Sequence, residues 1–145
     1  MLNQPILTLL IAKIKTTLGN VDSVKKIIGH PFAGNPDKYP AVIFYPSSFD
    51  NDFLTVEENF KVYRFKLWLV IGVETYGDEA IFEEILPKAM DEILEKFDDG
   101  WDNGTIDGHR AWALINTGVF GKSEEEKGAT AWVESDLIIK VTTNN

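Results

Sequence analysis

The 145-residue chain contains no cysteine. That absence removes disulfide frameworks, thiolate zinc sites and cysteine nucleophiles together, and it fits a protein that folds in a reducing cytoplasm. Histidine is scarce as well. His30 and His109 each sit beside a turn, and neither has a serine or a paired carboxylate at a spacing that suggests a triad, so both read as loop or capping residues. No segment approaches the roughly 18 uninterrupted apolar residues of a membrane span. The apolar run from Ile6 to Ala12 is interrupted by Lys13 and Lys15, and it lacks the basic leader and small-residue cleavage site of a signal peptide. Basic residues are also few, with 14 Lys and Arg against 23 Asp and Glu, for a net charge of −9. Such a chain repels a polyanion at long range, which disfavours nucleic-acid binding.

What is present points to one domain spanning residues 1–145, with 44% apolar residues to build a continuous core. The charge is uneven. Residues 1–66 carry eight basic and six acidic side chains, whereas 67–145 carry six and seventeen. Opposed fields on one small domain suit head-to-tail association of identical copies.

Asn3 or Gln4 is placed to cap a first helix with Pro5 in its first turn. Ile6, Leu7, Leu10, Ile11, Ile14 and Leu18 then share a face until Gly19-Asn20. Ser23 to Ile28 is read as a first strand, 33–40 as a turn-rich connection, and Ala41 to Tyr45 as a buried strand closed by Pro46. Phe60 to Val73 alternates most clearly, with Tyr63, Phe65, Leu67, Leu69 and Ile71 opposite Arg64, Lys66 and Trp68. Thr75 to Phe97 reads as the main helix, kinked by Pro87. Its apolar stripe includes Ile85 and Met90. Arg110 to Thr117 and Ala131 to Thr142 read as two closing strands joined by a polar segment, 121–128. Leu67, Leu69, Ile85, Met90, Leu137 and Ile139 are the expected core, and Glu134 and Asp136 are expected across from Arg64 and Lys66. The fold class that follows is α+β, an antiparallel sheet with two helices packed on one face.

Motifs with chemical content are weak. Gly118-Val119-Phe120-Gly121-Lys122-Ser123 has the flavour of a phosphate-binding loop, but Asn116 stands where the first glycine belongs. Glu124, Glu125 and Glu126 would repel a nucleotide, and a hairpin loop is the plainer reading. Loop 98–109 holds Asp98, Asp99, Asp102, Asn103 and Asp107, yet counting from Asp99 puts Trp101 and Arg110 at ligand positions of a calcium loop, which favours a solvated turn. Adjacent acids such as Glu83-Glu84 read as solvated charges, and Trp68, Trp101, Trp112 and Trp132 as packing residues. No catalytic, cofactor or metal site is assigned. The segment from Pro46 to Asn59 has no basic residue and carries Asp50, Asp52, Glu57 and Glu58 among apolar residues that include Phe49 and Phe53. It is expected to be a long loop between strands that faces a lumen or a partner, or else a solvated hairpin.

In order of elements the chain resembles the tail-terminator, or tail-completion, proteins of long-tailed bacteriophages. The likeness rests on the short N-terminal helix, the Tyr39-Pro40-Ala41-Val42-Ile43-Phe44-Tyr45-Pro46 strand, the long Phe60 to Val73 strand running into an amphipathic helix, and the closing strand pair. It implies a virion protein, made in the host cytoplasm, that forms a homo-oligomeric ring, a hexamer in that family. Such a ring caps the tail tube, meets a head connector or neck protein, and lets DNA pass without binding it specifically. Candidate contact residues under this resemblance are Asp50, Asp52, Phe53, Glu57 and Glu58 for a lumen or partner ring, and Arg64, Lys66, Glu134 and Asp136 between subunits. Another neck or head-completion protein fits the same features. So does a small cytoplasmic enzyme or ligand-binding domain with a pocket between helices and sheet.

Overall fold

The computed structural model describes residues 5–53, 58–72, 77–101, 105–106, 108–123 and 130–144. Six strands form one sheet in the order β1-β2-β3-β6-β5-β4. They are β1 (Lys26–Ile28), β2 (Ala41–Phe53), β3 (Glu58–Gly72), β4 (Thr105–Ile106), β5 (His109–Ser123) and β6 (Thr130–Asn144). All neighbours are antiparallel except β1 and β2. The centre is the pairing of β3 with β6, which runs without a register break from Glu58 opposite Asn144 to Gly72 opposite Thr130. Two-residue periodicity makes that long pairing possible: Phe65, Leu67, Leu69 and Ile71 are buried on one face, and Val133, Leu137, Ile139 and Val141 join them from β6. Ser135 interrupts the apolar row, but its hydroxyl donates to the Leu67 carbonyl at 3.1 Å, so its burial leaves no orphan group.

Both long helices contribute to the same buried cluster as that row. The first, α1 (Ile6–Gly19), supplies Leu10, Ile14 and Leu18. The second helical run comprises α2 (Asp78–Ala80), a π-turn (Ile81–Ile85) and α3 (Leu86–Gly100), and it supplies Ile81, Leu86, Ala89, Met90, Ile93 and Phe97. The expected conflict at Pro87, which cannot donate to the carbonyl of Glu83, coincides with the wide π-turn immediately before α3. Trp101 closes α3 against α1: it is fully buried, stacks on Phe97 at 5.8 Å, and donates its indole N–H to Thr17 Oγ1 at 3.2 Å.

Several expectations need correction. Pro5 occupies the N-cap position of α1 rather than its first turn. Only Lys26–Ile28 of the segment 23–28 is strand, because Val21 to Val24 form a hydrogen-bonded turn. Pro46 does not close β2, which continues to Phe53. The proline sits at a bulge between Pro46 and Ser48, where a missing N–H is tolerated. The described residues of the segment 46–59 are therefore strand, an arm formed by the end of β2 and the start of β3; residues 54–57, Glu57 among them, lie outside the described residues, and Glu58 begins β3. Gly118 to Ser123 is strand as well, paired residue by residue with β6 from Ser135 to Thr130. Ile85 is only half-buried. Of the expected loop 98–109, residues 98–100 are the end of α3, Thr105–Ile106 is β4 and His109 begins β5, with Trp101 and Ile106 buried. Asp102, Asn103 and Asp107 lie outside the described residues.

Candidate subunit interface

Residues that alternate with the core row form the other face of the sheet, and the charges anticipated as subunit contacts lie there. Lys66 and Asp136 are direct cross-strand partners, as their alternation suggested, whereas Arg64 stands opposite Ile138. The Lys66 ammonium is 2.8 Å from Asp136 and 3.4 Å from Glu134. The hydrogen bond from Lys66 holds the Asp136 carboxyl below the usual carboxylate range, helped by Thr117, and the same bond to Asp136 raises the pKa of Lys66. Arg64 turns to the arm instead and meets Asp50 at 2.7 Å. These four charges are thus satisfied within one chain.

Beside the ion cluster the same face carries an aromatic groove of about 520 Å³. Trp68 and Trp132 form its floor, edge to face at 5.3 Å, with Ile43, Tyr45 and Val70, while the loop from Pro31 to Pro36 makes its wall. Trp68 donates to the Tyr45 hydroxyl and Trp132 to the Ser123 hydroxyl, both at 3.2 Å. With both indole N–H groups engaged, the floor offers apolar contact more than hydrogen bonding. A smaller cavity of about 240 Å³ lies between Met90 and Leu94 of α3 and residues 115–120 of β5. The smaller cavity thus lies between helix and sheet, and the larger one on the sheet's other face.

The sheet edges are the third feature. β1 covers only Ala41 to Ile43 of β2, and β4 covers only His109 and Arg110 of β5. Beyond those points the outer edges of β2 and β5 have no strand neighbour among the described residues. Large exposed apolar side chains concentrate there: Phe49 (71% exposed) and Phe53 (78%) on β2, and Leu114 (53%), Val119 (62%) and Phe120 (57%) on β5. From Ala111 to Gly121 no residue is charged. Exposed edge strands are normally blunted by charge or shortness, and this one has neither. Phe53 was anticipated as a contact residue; the β5 trio was missed, although the long uncharged run was its visible signal.

No protein-family model matches the chain, and no curated protein matches it. Chemistry at the remaining motifs is unremarkable. Lys122, in the segment likened to a phosphate loop, bonds Asp78 at 2.9 Å from an extended backbone. His30 contacts its neighbour's carbonyl, Pro31 O, at 2.9 Å. Among the described residues no cluster of three or more potential metal ligands occurs.

Proposed function

We propose that this chain is a structural subunit of a bacteriophage tail, a terminator-like protein that assembles head to tail into a ring, caps the tail tube and meets the head connector. The carrying observation is the placement of exposed apolar side chains. Five of the six large ones among the described residues lie on β2 and β5, at opposite sides of one sheet and only partly covered by the short outer strands β1 and β4. Two different sticky edges on opposite sides give a heterologous contact, which leaves a free edge on each added copy and ends only when the rotation closes. The order of elements resembles that of the tail-terminator family, and the acidic balance suits a ring through which DNA must pass without adhering. The arm bearing Asp50 and Asp52 faces either the lumen or an adjoining ring.

Light scattering and negative-stain microscopy of the purified protein test the ring, and addition to polymerising tail-tube protein tests the cap. Closed rings and shortened, capped tubes are the expected results. A strict monomer that leaves tube length unchanged overturns the proposal. Binding to the connector end alone would make it a different neck protein. A second reading, a ligand-binding domain, is favoured by the aromatic groove alone; it requires a monomer whose melting temperature rises with an apolar ligand.

A further inference from the structure

We propose that the ring is held by strand addition: the free edge of β5 in one copy hydrogen-bonds to the free edge of β2 in the next, so that the sheet continues across subunits. This rests on the ring reading and names its contact. Three antiparallel pairings separate β2 from β5, so the two run in opposite directions. A second copy brought alongside by rotation about an axis along the strands therefore presents an antiparallel β2 to β5, the same relation as inside the sheet.

Rows through the sheet give the register of an unshifted neighbour. Ser48, Arg64, Ile138 and Leu114 form one row, which brings the next copy's Ser48 opposite Leu114. Two residues on, Asp50 comes opposite Trp112. Steric limits agree with this register. β1 ends at the level of Ile43 and β4 at Arg110, leaving a window in which residues 44–50 of β2 meet 112–118 of β5. Each edge has one bulge, between Pro46 and Ser48 and between Ile115 and Thr117, and Pro46 and Ile115 share a row. A bulge spoils an edge for a flat strand, but two at one level let the edges bend together. The exposed Leu114 then gains cover, and the outward amides of both edges find partners.

The test exploits the absence of native cysteine. The double variant S48C/L114C, oxidised under mild conditions, should give a ladder of covalent oligomers up to the full ring on a non-reducing gel, whereas S48C or L114C alone should stop at dimers. L114K, at a side chain already half exposed, should weaken self-association by about tenfold or more with an unchanged melting temperature. Rings that form normally in both variants and yield no ladder would overturn edge pairing while leaving the ring intact. A chain that stays monomeric, with or without tube ends, would overturn both.

Discussion

The ammonium of Lys66 on β3 lies 2.8 Å from Asp136 Oδ1 on β6, and the two residues are direct cross-strand partners. Their linkage predicts a pH window. Asp136 has its pKa lowered, so its contribution is present above the unfolded value of about 4 and is lost as pH falls through the folded value. Lys66 has its pKa raised, so its contribution is complete below the unfolded value of about 10.4 and is lost as pH rises through the folded value. Both side chains are a third exposed or more, which limits the pair to about 1 kcal/mol or less. Denaturant titration of Asp136→Asn against wild type should show that deficit at neutral pH, and it should shrink as pH falls below the ordinary carboxylate range.

Leu69 is fully buried at the centre of β3, and Ile85 is half-buried in the π-turn. Leu69→Ala should cost about 2–5 kcal/mol in urea unfolding, through lost transfer energy and a residual cavity. Ile85→Ala should cost clearly less, because much of its surface is already wet. Equal losses would refute the assigned burial.

Thr17 ties α1 to the end of α3. Its hydroxyl accepts from the Trp101 indole and donates to the Lys13 carbonyl at 2.8 Å. Thr17→Val keeps the shape but strands the indole N–H of a buried tryptophan, so a loss of about 1–3 kcal/mol is expected. Thr17→Ser, which retains the oxygen, should recover most of it.

Gly121 stands opposite Trp132, and a methyl group there would come too close to the indole carbons without a shift. Gly121→Ala should therefore displace Trp132 and break its hydrogen bond to Ser123, at a cost of about 1–3 kcal/mol and with a change in tryptophan fluorescence. An unchanged spectrum would mean that the ring does not cover this glycine.

Lysine in place of Asp50, Asp52, Glu57 and Glu58 reverses the charge of the arm. In assembled particles, DNA delivery or ring assembly should fall. If both are unchanged, the arm neither lines a lumen nor docks a partner.

Much of this architecture was legible in the sequence because alternation and helical periodicity report directly which face of an element is buried. Leu67, Leu69, Leu137 and Ile139 were placed in the core that way, and all are fully buried. The same pattern anticipated Lys66 across from Asp136. Local rules misjudged Pro46 and Gly118 to Ser123, since a proline is tolerated at a bulge and glycines are held in a strand when a neighbour such as Trp132 packs over them. Arg64 went to Asp50 because the arm of β2 runs beside it, which no spacing along the chain specifies. By itself, then, the sequence determined composition, charge, element type and buried faces. Only the tertiary structure decided which strands are edges, since whether a backbone amide has a partner depends on which neighbour lies beside it. That arrangement set β2 and β5 at opposite sides of the sheet, with much of each outer edge lacking a strand neighbour among the described residues.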